Sequence, residues 1–209
     1  MAAGFPGGGP ASGTRGNRPQ HFTAAIRTLA QRRHYREVHA LLQEMRASTV
    51  EPSIISYNAA ISALWSQALE VLIEMYRRGL DTDVVGHNAA VAACARGAQW
   101  RLASSTLRLM ERRGVDSDVI SLNSAISACE KAEEWQVAIG TLAGMQSQAV
   151  EADVISFNSA ISACEGSGHW MLALVLLAEM RRKDLPPDAV SFNAAISACG
   201  EAARWEVAL

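Results

Sequence analysis

The chain holds 209 residues, 49% of them hydrophobic and 19% charged, with a formal net charge of -2. That composition suits a folded protein, and a charge so near neutrality supplies no overall basic field to announce nucleic acid, although cations can still collect on one face. No apolar run approaches the ~18 residues of a membrane span, and the four cysteines form no CxxC pair, so no zinc site is signalled.

Residues 1–18 are rich in Gly and Pro and lack helical periodicity, which predicts a disordered tail. No Asp or Glu precedes Glu37, whereas Arg15, Arg18, Arg27, Arg32 and Arg33 do. That balance marks a candidate transit segment addressed to a mitochondrion or plastid. Its weak amphipathic character and few hydroxyls fit a plain flexible tail equally, in which case the protein is cytoplasmic.

From residue 19 the chain repeats. Trp65, Trp100, Trp135, Trp170 and Trp205 are spaced 35 residues apart, and Cys94, Cys129, Cys164 and Cys199 keep the same step. So do Met75, Met110, Met145 and Met180. A fixed period in this range marks a repeat array. The units are 19–53, 54–83, 84–118, 119–153, 154–188 and 189–209; the second is five residues short, ahead of Trp65, and the last is cut partway.

Each unit predicts two helices. In 119–153 the first runs from about Ser121, the predicted N-cap, with Leu122, Ala125, Ile126 and Cys129 on one apolar face. Lys131 to Glu134 ends it. The second runs from Trp135, with Ala138, Ile139, Leu142 and Met145 on its stripe, and Ser147 to Asp153 connects to the next unit. One such hairpin cannot cover both stripes, so neighbours must stack. Each tryptophan is expected to wedge between its own first helix and the next unit, with an upper bound near ~5 kcal/mol per ring. Packing accounts for the Trp, Cys, Met, Ile and Ala ladders; the cysteines are expected as buried free thiols.

The period, the entry motif Val154-Ile155-Ser156-Phe157-Asn158 and the Asp that closes each unit resemble the pentatricopeptide repeat family, over residues 19–209. The resemblance implies an all-α fold, a right-handed α-solenoid or superhelix of stacked helix-turn-helix repeats, binding single-stranded RNA in its concave groove at one base per unit. In the family, the fifth and last residues of a unit read the base. Carried over, the pairs are Asn58 with Asp83, Asn88 with Asp118, Asn123 with Asp153 and Asn158 with Asp188, each implying uracil. Asn193 begins a further pair. The first unit departs, with Thr23 and Ser53, and its base is left unassigned.

Physical chemistry supports these positions separately. Asn carries both donor and acceptor and can meet a base edge without a charge. The Asp can orient it or hold a water against the base. Ile55, Val85, Ile120, Ile155 and Val190, at the second place of each unit, put branched apolar surface where bases can be sandwiched. Arg96 and Lys131 occupy the family's phosphate-contacting place, while Gly166 and Glu201 stand there in later units.

Other readings stay open. Asn and Asp also serve helix starts by bonding free N–H groups and complementing the dipole, and Arg96 and Lys131 are equally well ordinary solvated charges. The acids Glu130 and Glu165 suit a protein-binding helical scaffold without RNA. The chain carries no G-x-x-x-x-G-K-[ST], H-E-x-x-H or G-x-S-x-G string, nor the H-x-E and later C-x-x-C of a deaminase-type tail. The expectation is a non-enzymatic binder of U-rich single-stranded RNA, with no cofactor, metal, small-molecule substrate or membrane, acting in RNA processing, stability or translation alongside other RNA-processing proteins.

Overall fold

The computed structural model describes residues 18–31, 34–47, 53–63 and 67–202. The predicted tail, the Leu64–Trp65 junction, Trp205 and the second helix of the last unit lie outside the described residues, except for Arg18. Among those residues the chain forms eleven helices: α1 (Arg18–Gln31), α2 (Tyr35–Ala47), α3 (Ile54–Ala63), α4 (Ala68–Arg77), α5 (Val84–Arg96), α6 (Trp100–Arg112), α7 (Val119–Lys131), α8 (Trp135–Ser147), α9 (Val154–Glu165), α10 (Trp170–Arg182) and α11 (Ala189–Glu201).

Helix starts and stops follow the repeat. Asp83, Asp118, Asp153 and Asp188 are the N-caps of α5, α7, α9 and α11, each accepting from the backbone N–H three residues on. This corrects the sequence-based start at Ser121. That residue lies in the first turn, where its hydroxyl accepts from the Asp118 N–H and closes a capping box. A free carboxylate takes the cap position because it is acceptor-only and sits at the positive end of the helix dipole.

The Cys and Met ladders mark the other ends. The Cys94, Cys129 and Cys164 carbonyls accept from the Gln99, Glu134 and His169 N–H groups at 2.9, 3.0 and 3.0 Å. The Met75, Met110, Met145 and Met180 carbonyls likewise accept from residues 80, 115, 150 and 185. Both are the wide closing bonds of Schellman turns. The left-handed residue such a turn needs is glycine at Gly79, Gly114 and Gly168, but Ala98, Glu133, Ala149 and Asp184 take it with φ between 53 and 58°.

Odd-numbered helices pack on one another in order, α1 on α3 through α9 on α11, and each even-numbered helix packs on the odd-numbered helices before and after it. No comparable packing joins successive even-numbered helices among the described residues. The odd layer is therefore the tighter one. Tyr57, Leu122 and Phe157 are buried between layers, with Ile61, Ile126 and Ile161 one turn on. Trp100, Trp135 and Trp170 are half-buried against the core. The Trp135 ring lies 4.0 Å from that of His169, in the next unit, as the wedge reading requires.

In the shortened unit α3 and α4 border residues 64–66, which lie outside the described residues. α4 ends in register with α6, Arg77 standing 35 residues before Arg112, so the missing residues precede Trp65.

Candidate nucleic-acid interface

Three unit-closing aspartates face the asparagine of the unit they close. Asn88 Nδ2 donates to both Asp118 carboxylate oxygens at 3.1 and 2.9 Å. Asn123 Nδ2 donates to Asp153 Oδ1 at 3.0 Å, and Asn158 Nδ2 to Asp188 Oδ1 at 3.1 Å. Each of these Asp residues thus caps one helix and orients an Asn on the preceding odd helix. The helix-start reading and the paired reading are both true of the same carboxylate.

These bonds favour the ionised carboxyl. For Asp118 and Asp153, burial opposes charge, but the Ser121 and Ser156 N–H groups and the Asn88 and Asn123 amides outweigh it and hold both below the ordinary carboxylate value. Asp188 is held down chiefly by the Ser191 N–H.

A third residue joins the pair, and sequence reasoning missed it. The buried Ser156 hydroxyl donates to Asn123 Oδ1 at 2.5 Å, and the Ser191 hydroxyl to Asn158 Oδ1 at 2.5 Å. In the first unit Thr23 Oγ1 meets Ser56 Oγ at 2.6 Å, and Ser56 Oγ meets Ser53 Oγ at 3.1 Å. The same triangle is built there from different side chains. Its signal in the sequence was the serine at 56, 121, 156 and 191, interrupted by Gly86.

The shortened unit breaks the pattern. No hydrogen bond joins Asn58 to Asp83 among the described residues, and Asn58 Oδ1 is buried without a partner. A Cβ added to Gly86 would stand 2.7 Å from that oxygen. The Asn58 amide has moved into the space that a serine occupies elsewhere. Yet α3 still packs on α5, and Asn88, in the unit after the deletion, still meets Asp118.

Beside the triads runs an apolar row. Ile55, Val85, Ile120, Ile155 and Val190 are each between 55 and 62% exposed at the second position of their helices. An exposed row of branched apolar side chains at fixed spacing is unusual for a surface with nothing to bind. Asn193 is exposed at the equivalent place on α11.

The two cations are engaged with protein. Arg96 Nη2 donates to the Ser62 carbonyl, and Lys131 Nζ donates to the Ala95 carbonyl at 3.2 Å. Each caps the C-terminal end of the preceding odd helix, where positive charge complements the dipole. Both side chains remain exposed and hold free N–H donors. Nearby, burial pushes the Glu130 carboxyl up from its ordinary value, with Glu165 adding to the rise. Among the described residues no cluster of His, Cys, Asp or Glu could hold a metal ion, and no helix is long and apolar enough to cross a membrane.

Fold and site together define a stacked helical-hairpin array whose odd-helix layer repeats an Asn–Asp pair, joined by a serine at Asn123 and Asn158, beside an exposed aliphatic. The pentatricopeptide repeat domain model matches residues 20–65 and 70–132, and the PPR repeat family model matches 152–201. The chain belongs to the pentatricopeptide repeat family. The crystal structure of the maize pentatricopeptide repeat protein PPR10 superposes with a TM-score of 0.72 at 23% identity, covering 89% of this chain and 27% of that one. PPR10 in complex with an 18-nt psaJ RNA element superposes at 0.67, with 21% identity over 95% of this chain and 28% of that one. The PPR domain of Arabidopsis thaliana protein-only RNase P 1, in complex with tRNA, gives 0.67 at 12% identity over 90% of this chain and 98% of that domain. The chain thus spans about a quarter (27%) of the maize protein. No curated protein matches the sequence significantly.

Proposed function

We propose that the protein binds single-stranded RNA along its concave layer, one base per unit, and prefers uridine. The observation that carries this is the repetition of one geometry. Three Asn–Asp pairs lie at the same places on successive odd helices, each unit also presenting an exposed Ile or Val. An amide held by a carboxylate keeps one N–H and its carbonyl lone pairs for a base edge. The exposed aliphatics of neighbouring units flank the base. Helical repeats that take one base each through two or three side chains form a known mode of RNA recognition. Solved relatives of this fold carry RNA in their crystals, which supports the nucleic-acid reading.

In this reading Asn58 with Asp83, Asn88 with Asp118, Asn123 with Asp153 and Asn158 with Asp188 address uracil. Asn193 starts another pair, and Thr23 with Ser53 forms a divergent reader. Arg96 and Lys131 turn their free N–H donors to phosphate. Four reader units at ~1–2 kcal/mol each, less the cost of association, give an affinity of about micromolar or weaker. Such a binder covers or positions a transcript for processing, stability or translation, in company with other RNA-processing proteins. The acid-poor N-terminal sequence supports a mitochondrial or plastid site of action.

Titrating oligo-U, oligo-C and oligo-A at several salt concentrations tests the reading. Tighter binding of oligo-U supports it. Equal binding of all three removes the base assignments, and no binding at low salt removes the function. A protein-binding scaffold is the second reading, favoured by the half-buried Glu130 beside Glu165 and by the capture of Arg96 and Lys131 on backbone carbonyls.

A further inference from the structure

We infer that the serine at the third place of each following unit is a positioning residue for the base-reading asparagine, and that it sets selectivity for uridine over cytidine. This rests on the base-reading function proposed above.

The argument begins with the polarity of an amide. Asn offers two donors on Nδ2 and two lone pairs on Oδ1, and a half-turn about its last bond exchanges them. Uracil presents an N3–H donor between two carbonyl acceptors. Cytosine presents an N3 acceptor beside an amino donor. One orientation of the amide therefore matches uracil and the other matches cytosine. The residue type alone does not choose between them; its neighbours must.

Two neighbours make that choice at Asn123. Asp153 accepts one Nδ2 proton at 3.0 Å, and the Ser156 hydroxyl donates to Oδ1 at 2.5 Å. Ser156 Oγ accepts the Asp153 N–H at 3.1 Å, and its single proton has two acceptors in reach, Asn123 Oδ1 at 2.5 Å and Asp153 Oδ1 at 2.9 Å, of which the amide oxygen is the nearer. Ser191 does the same for Asn158, accepting from the Asp188 N–H at 3.1 Å, with Asn158 Oδ1 at 2.5 Å again nearer to the hydroxyl than Asp188 Oδ1 at 3.1 Å. All of these serines are fully buried, so water does not compete for the bond. Turning the amide over would set Oδ1 against a carboxylate and give up the bond that Oδ1 accepts from the serine, whose proton would fall back on the Asp oxygen.

The molecule contains two internal comparisons. At Asn88 the Ser121 hydroxyl donates to the Asp118 carbonyl at 2.8 Å instead, and Asn88 Oδ1 is buried without a partner. There the amide is held by Asp118 alone, through two bonds. At Asn58 the serine is replaced by Gly86, Oδ1 again has no partner, and the bond to Asp83 is gone as well. The order of definition is therefore Asn123 and Asn158, then Asn88, then Asn58. Unit 54–83 is the weak reader of the array, and the cause is Gly86 as much as the missing residues.

The test compares oligo-U with oligo-C on the full chain, since homopolymers cannot slip out of register. Replacing both hydroxyls, Ser156→Ala with Ser191→Ala, is expected to lower the U-over-C affinity ratio by about tenfold, at a few-fold per lost hydrogen bond. Ser156→Thr with Ser191→Thr restores the ratio. Gly86→Ser is expected to raise it above that of the unaltered protein. A purely structural serine would lower melting temperature and weaken both oligonucleotides alike, leaving the ratio where it was. An unchanged ratio in the Ala variant overturns the inference while base reading stands. Equal binding of U and C by the unaltered protein overturns base reading and this inference with it. Should the Ala variant not fold, Gly86→Ser decides alone: a raised ratio supports the serine's role and an unchanged one contradicts it.

Discussion

Asn123 and Asp153 stand 30 residues apart in sequence and are joined by a 3.0 Å hydrogen bond that spans one whole unit. Asp153 is at the same time the N-cap of α9. One carboxylate thus ties the start of one unit to the site of the unit before it.

Two substitutions separate these roles. Asp153→Ala removes cap and amide partner and should cost about 1–2 kcal/mol of stability. Asp153→Asn keeps a good cap residue, so most of that stability should return, while the acceptor-only partner of Asn123 is lost. Thermal unfolding by circular dichroism, run beside oligo-U titration, should show D153N near the unaltered protein in stability but weaker in U-over-C preference.

Acid should destabilise the protein in two stages. His87 stands where other units carry Tyr57, Leu122 or Phe157, and burial lowers its pKa below 6.5 despite the Asp83 carbonyl. Its Nε2 meets the Tyr76 hydroxyl at 2.7 Å. A group with a lowered folded pKa contributes stability that is present above the unfolded value and lost as pH falls through the folded one. The first loss therefore begins below 6.5. Asp118, Asp153 and Asp188 are lowered from 3.8 and lose their contribution at more acid pH still. Melting curves from pH 7 to 3 should show both stages, and His87→Phe should abolish the first.

The cysteine row should be inert. Cys94, Cys129, Cys164 and Cys199 are buried and free, and burial pushes the first three thiols up to about 11. Reactivity needs the thiolate. Alkylation at pH 8 followed by mass spectrometry should leave the four native thiols unmodified, and all should react once the chain is unfolded.

Salt should weaken RNA binding only slightly. With Arg96 and Lys131 as the two cations of the phosphate track, the slope of log K against log salt is expected near about -1.4, at ~0.7 per contact on a single strand. Arg96→Ala and Lys131→Ala should each flatten it by about half. A slope several times steeper would mean that other cations carry the backbone.

The fold was legible because the ladders of Trp, Cys and Met keep one period and each has a packing reason. The Asn and Asp positions were legible through the same period. Three things were not. Ser121 looked like a cap, since spacing alone does not show that Asp118, three residues earlier, holds that place and turns the serine to a second partner. The bonds from Arg96 and Lys131 to carbonyls of the preceding odd helices depend on the stagger between stacked helices, which the sequence does not encode locally. The consequence of Gly86 was hidden for the same reason: its neighbour is Asn58, in another unit.

The most direct test is a nuclear magnetic resonance titration that follows the side-chain amides of Asn88, Asn123 and Asn158. On adding oligo-U these amide signals should shift together with the methyls of Ile120 and Ile155, while α6, α8 and α10 stay unmoved. Shifts confined to those outer helices, or none at all under conditions where RNA binds, would contradict the account.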